Sequence, residues 1–199
     1  MADNASAEQI LDAALQMVQT RGYHGFSYAD ISEQVGLRKA SIHYYYPGKA
    51  DLGKALVVRY RETIGRKRSL IGQLADDPDQ KLAWYAQVYR DMLRDGGRMC
   101  LCGVLAAELP GLPDGMYQEV RDFFGENEAW LAEVLAEGRT AGVFRFDGMA
   151  EVQAQSFLAA LQGAMLLARS HHDPARYCAV VHQLLAELGP GQTVYETAA

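Results

Sequence analysis

A chain of 199 residues, 49% of them hydrophobic, is long enough for a small domain and a larger one, each with a core. Its net charge of −6 speaks against nucleic acid when taken whole, yet residues 1–68 hold ten Lys/Arg against seven Asp/Glu and residues 69–199 hold nine against eighteen, a basic head on an acidic body. Three cysteines make no disulfide framework, the first residues lack a signal-peptide pattern, and the longest apolar run, Phe157 to Ala168, falls short of the roughly 20 residues that span a bilayer, so a soluble cytoplasmic protein with no membrane partner is expected.

Residues 1–5 are expected to be loose, with Ser6 and Gln9 as a capping box for a first helix carrying Ile10, Ala14, Leu15 and Val18 and ending at Gly22. Ser27, with Asp30 three residues on, signals the start of a second short helix that reaches about Val35. Gly36 can close it in the left-handed conformation, and Leu37 follows as an apolar plug. A third helix, Arg38 to about Tyr45, stops before Pro47. Two short helices at a tight glycine turn make a helix-turn-helix, with Phe26, Ile31, Val35, Leu37 and Ile42 closing a three-helix core.

From Lys49 a long helix runs toward Leu74 with Leu52, Leu56, Tyr60, Ile64 and Ile71 on one side. Pro78 opens the next helix, striped by Leu82, Tyr85, Ala86, Tyr89, Met92 and Leu93 and ended by Gly96 and Gly97. A shorter apolar helix is expected from about Met99 to Leu109, closed by Pro110 to Pro113. A further one spans about Asp114 to Ala141, then an extended link from Val143 to Gly148. The last two run from about Ala150 to Ser170 and Ala175 to Leu188, and the tail after Gly189 is expected to be disordered. The fold class is all-α with about nine helices: residues 1–48 are the head, 49–199 the body, and the helix from about 49 to 74 is shared.

The third helix carries the chemistry a duplex demands. Lys39 suits a guanine edge or a phosphate, Ala40 a close backbone approach or a thymine methyl, and Arg38, Ser41, His43, Tyr44 and Tyr45 polar contacts. Lys49 stands at a helix start, where its amide and ammonium can clamp one phosphate together. At Ile10 to Ala14, Gly22-Tyr23, Phe26-Ser27, Asp30-Ile31, Val35-Gly36, Ser41 to Tyr46, Lys49 and Leu52, the chain resembles the TetR-type bacterial transcriptional regulators. That resemblance implies phosphate-gripping roles for Ser27 at the start of the second helix, with Tyr28 beside it, and for Tyr44 and Lys49. His43 stands where the family usually has Tyr, and Tyr46 where it usually has Phe. The implied partners are a double-stranded DNA operator, a small-molecule effector and a second copy of the chain.

For the effector, Tyr85, Tyr89, Met92, Cys100, Phe123, Trp130 and Met165 offer adaptable apolar surface, and Gln162 inside an apolar helix is a polar group that needs a partner. The segment Met99 to Leu109 resembles a stretch found in family members that sense electrophiles and oxidants, with Cys100 as the thiol, Arg98 close enough to lower its pKa and Glu108 eight residues on. Weighed against this is Cys100 as a small buried apolar residue. Homodimer contacts are expected from the last two helices at Ala160, Gly163, Ala164, Val181, Leu184 and Leu185. No enzyme signature surrounds Cys100, and His171, His172 and His182 lack metal spacing, so no catalysis, cofactor or metal is expected.

Overall fold

Glycine and proline set most of the helix ends in the computed structural model, which describes residues 2–189. Among them are nine α-helices: α1 (Ala2–Arg21), α2 (Tyr28–Val35), α3 (Lys39–Tyr45), α4 (Lys49–Leu74), α5 (Pro78–Arg94), α6 (Leu101–Ala107), α7 (Asp114–Thr140), α8 (Ala150–Ser170) and α9 (Pro174–Glu187). A single 3-10 turn, Leu109–Gly111, follows α6. The expected disorder of the tail concerns residues outside those described.

Two expectations are corrected. Helix α1 begins at Ala2, so Ser6 lies within it rather than at its start; Ala5 and Ala7 favour continuation and no breaker intervenes. Helix α6 is shorter than expected, because Pro110 disfavours the helical state at Leu109 and the chain tightens into the 3-10 turn. The link after α7 buries Phe144 over Gly138, where an added Cβ would sit 2.2 Å from the phenyl ring.

Two compact units emerge: residues up to 63 together with 100–123, and residues 64–99 together with 124 onward. In the first, α1, α2 and α3 close over Ile10, Phe26, Ile31 and Ile42, all nearly or wholly buried, while Val35 and Leu37 are half-buried at the rim. The first part of α4 adds Leu52, Leu56 and Tyr60 to the buried set, and α6 packs on α1. Arg59 of α4 reaches Glu8 at 2.8 Å and Asp12 at 2.9 Å, tying α4 to α1. In the second, α5, α8 and α9 pack on one another, with Leu82, Tyr85, Ala86 and Tyr89 buried on α5 and Phe157, Leu161 and Met165 on α8.

Candidate nucleic-acid interface and effector body

Local chemistry fixes the head before any partner is considered. The Ser27 hydroxyl accepts from the Ala29 N–H at 3.2 Å, and the Asp30 carboxylate accepts from the Ser27 N–H at 2.7 Å, a reciprocal cap on α2. Hydrogen bonds from Ser27, side chain first and then backbone, hold the Asp30 carboxyl below its usual range. Gly36 closes α2 at φ 71°, and the Ser32 hydroxyl donates to the Leu37 carbonyl at 2.6 Å, which locks the turn into α3.

That turn makes α3 two-sided. Ile42 is fully buried, so Arg38, Lys39, Ala40, His43 and Tyr44 are exposed, Tyr44 by 74%. Ser41 and Tyr45 are half-buried, and the Tyr45 ring meets Tyr44 edge-on at 5.2 Å between centroids. His43 lies 4.7 Å from the Tyr28 ring, and its Nδ1 is 3.1 Å from the Pro47 carbonyl. A carbonyl only accepts, so Nδ1 carries the proton and Nε2 of the neutral ring is an acceptor. The Tyr28 hydroxyl donates to the Tyr46 carbonyl at 2.9 Å, and desolvation, with a smaller push from Asp51, raises its pKa to about 12.

A basic, outward-facing α3 braced by buried Ile42 is the architecture of a major-groove reader. The comparisons agree. Residues 10–56 match the model of bacterial regulatory proteins of the tetR family, and residues 78–184 match that of the tetracyclin repressor-like C-terminal domain. The chain belongs to the TetR family. It is a DNA-binding transcriptional regulator. It resembles a TetR-family regulator of known structure from Agrobacterium tumefaciens, at 35% identity and a TM-score of 0.91 over 94% of this chain and 100% of that one. Transcriptional regulator AcuR of Cereibacter sphaeroides is 28% identical over 84% of this chain and 78% of its own length. The HTH-type transcriptional repressor DhaR of a Mycobacterium species is 23% identical over 93% and 94%.

In the regulator's head, Lys49 is held from within. The Lys49 ammonium is turned inward, donating to the Phe26 carbonyl and lying 4.1 Å from the Phe26 ring centroid and 4.9 Å from that of Tyr23. Desolvation, outweighing attraction from Glu108 and Asp30, lowers its pKa. The Lys49 main chain opens α4.

The expected effector residues fall in both compact units. Within the second unit, the Tyr85 hydroxyl donates to Asn127 Oδ1 at 2.8 Å and meets the Tyr89 hydroxyl at 2.9 Å, with Trp130 5.3 Å from the Tyr85 ring. Tyr85 has one hydroxyl hydrogen, so Tyr89 is the donor in that pair. Met165 is buried and Met92 half-buried. The amide oxygen and nitrogen of Gln162 are buried without a hydrogen-bond partner among the described residues. Within the first unit, Cys100 and Phe123 meet Tyr60: its hydroxyl donates to Cys100 Sγ at 3.6 Å and its ring lies 5.5 Å from Phe123. Burial first, then the two neighbouring thiols of Cys100 and Cys102, pushes the Tyr60 pKa up. All three cysteines are reduced and buried, and the Arg98 guanidinium is engaged by Asp95. A cavity of about 230 Å³ where α5 ends beside the α8–α9 turn is lined by Leu93, Gly96, Gly97, Ala168, Arg169 and His172, among others, and by none of the expected effector residues.

Of the expected dimer residues, Ala164 and Val181 are buried inside the protomer and cannot form a surface; Ala160, Leu184 and Leu185 are half-buried and Gly163 exposed. The apolar surface lies one step round α8, at Val152, Ala159, Leu166 and Leu167, with Val180 on α9. Sequence reasoning missed Asn127, buried and tied to Tyr85, for which an isolated Asn in an apolar-periodic helix was the available signal. It also left Tyr23 and Glu108 without structural roles, although they meet directly at 2.9 Å.

Among the described residues, no helix is long and apolar enough to cross a membrane, and no group of three His, Cys, Asp or Glu is placed to hold a metal ion.

Proposed function

We propose that the protein is a homodimeric repressor that reads a pseudo-palindromic operator through two copies of α3 and is released by a small-molecule effector held in its body. The observation that carries the DNA reading is the division of α3 between fully buried Ile42 and an exposed face of Arg38, Lys39, Ala40 and Tyr44. Two heads reading successive major grooves stand about 34 Å apart, which demands two-fold symmetry. The exposed stripe of Val152, Ala159, Gly163, Leu166 and Val180 supports a second copy, since exposed apolar side chains in a row favour association. Repression is supported by the likeness to the Mycobacterium relative, an HTH-type transcriptional repressor. The effector reading is supported by the Tyr89–Tyr85–Asn127 chain and by the buried amide of Gln162, which would suit a ligand offering both a donor and an acceptor.

Selection of duplexes from a random library by the full chain tests the reading. An inverted repeat should emerge, and Lys39→Ala should change base preference at one position of each half-site, worth about 1–3 kcal/mol of discrimination. Unaltered preference and affinity would mean that α3 does not dock as described.

Covalent sensing at Cys100 has one observation in its favour, the Tyr60 hydroxyl aimed at the sulfur. Against it, Cys100 is 0% exposed, and thiolate chemistry needs access. Cys100→Ser should therefore bind the selected duplex like wild type, and treatment with an alkylating electrophile should affect both alike; a response confined to wild type would establish the thiol as the sensor.

A further inference from the structure

Where α1 turns into α2, the chain is gripped from one side. Tyr23 donates its backbone N–H to Glu108 Oε2 at 2.9 Å. The preceding residue, Gly22, has φ +84°, and a Cβ there would stand 2.1 Å from Glu108 Oε1, so glycine is needed both for the conformation and for the room the carboxylate occupies. Gly111 of the 3-10 turn makes the same kind of approach to the next side chain, with an added Cβ falling 2.9 Å from His24 Nε2. Two glycines on opposite partners thus let the α6 end and the 3-10 turn close on Gly22, Tyr23 and His24.

Glu108 is itself held. Its N–H donates to the Leu105 carbonyl at 3.0 Å and its carbonyl accepts from Gly111 at 3.0 Å, while Leu101, Cys102 and Leu105 bury α6. What it grips is a junction. The Tyr23 hydroxyl donates to the Lys49 carbonyl at 3.0 Å, its ring lies under the Lys49 ammonium, and that ammonium holds the Phe26 carbonyl one residue before the Ser27 cap. From one carboxylate the chain of contacts therefore reaches the starts of both α2 and α4, the two elements that set the attitude of α3.

We infer that Glu108 is a positioning residue for operator reading: its carboxylate fixes the Gly22–His24 turn, and through Tyr23 and Lys49 it holds the reading helices in the geometry that fits two half-sites. The inference rests on the DNA-reading proposal above. Charge alone predicts the opposite sign. Glu108 is an acid packed against a basic head, so deleting it should strengthen binding to any duplex through reduced repulsion, whereas loss of positioning weakens binding only to the selected sequence.

The test compares full-length wild type, Glu108→Ala and Glu108→Gln on two duplexes of equal length, one selected on the wild-type protein and one scrambled. Glu108→Ala should bind the selected duplex roughly tenfold more weakly, bind the scrambled duplex at least as well as wild type, and show faster amide exchange at Tyr23. Glu108→Gln keeps an oxygen that can accept from Tyr23 and should recover most of the specific affinity. A selected-to-scrambled ratio equal to wild type in Glu108→Ala would overturn the inference, as would a parallel loss on both duplexes with a lowered melting temperature, the mark of a merely structural residue. Wild type that selects no sequence would instead remove the parent reading, with Tyr23 exchange still deciding whether Glu108 holds the turn.

Discussion

Tyr85→Ala should lower the free energy of unfolding by about 3–5 kcal/mol, and Tyr85→Phe by about 1–3 kcal/mol, as read by urea denaturation at fixed protein concentration. Tyr85 is 1% exposed and lies with Trp130 and Tyr89 at 5.3 Å between ring centroids, so removing the ring opens a cavity that these neighbours cannot refill by rotamer changes alone. The phenylalanine variant isolates the hydroxyl. Its hydrogen goes to Asn127 Oδ1, on a side chain with no solvent exposure, and its oxygen receives the Tyr89 hydrogen. Deleting it weakens both neighbours in a low-dielectric site where water cannot easily replace it. A Tyr85→Phe protein within about 0.5 kcal/mol of wild type would show that the buried chain contributes little to the fold. The same variant bears on function: if the effector bonds to this chain, its affinity should fall further than stability predicts.

The head was far more legible than the body, for a physical reason. Ser27, Asp30, Gly36 and Pro47 act within a few residues of themselves, through caps, a left-handed turn and a missing N–H, and each leaves its mark in the local sequence. The bounds of α2, α4 and α8 were readable to within a residue or so on that basis, and the family's motifs fall in the same stretch. Features that depend on meetings across the chain were not readable. Nothing near Gly22 says that a carboxylate 86 positions later fills the space where its side chain would be. Periodicity correctly placed Ala164 and Val181 on apolar faces, but it cannot separate the face that packs within the protomer from the face left outward, because both are apolar. The effector residues suffered the same ambiguity: aromatic stripes on α5 and α7 announce burial, and only the hydrogen-bond chain through Asn127 distinguishes a polar feature inside that core.

Lys49, expected to grip a phosphate, turns its ammonium to the Phe26 carbonyl in the DNA-free chain, and it yields an equally large expected effect. Lys49→Met should cost about 1.5–3 kcal/mol of stability from the charged hydrogen bond to the Phe26 carbonyl, with about 0.5–2 kcal/mol more from the ammonium over the two rings. Methionine retains the apolar stem, so packing against Tyr23 and Phe26 is largely kept and the change reports on the charge. A lysine at a helix start next to a reading helix looks like a phosphate ligand, and its main-chain N–H can still serve as one. Its ammonium, however, is committed to Phe26, and burial has already lowered its pKa despite the attraction of Glu108. The salt dependence of binding to a selected duplex separates the two roles. Each phosphate neutralised by a side-chain cation contributes about 0.9 to the slope of log affinity against log salt. If the ammonium is a structural pin, Lys49→Met leaves that slope unchanged while the urea midpoint falls; if it grips a phosphate, the slope drops by nearly one unit and the stability of the DNA-free protein scarcely moves.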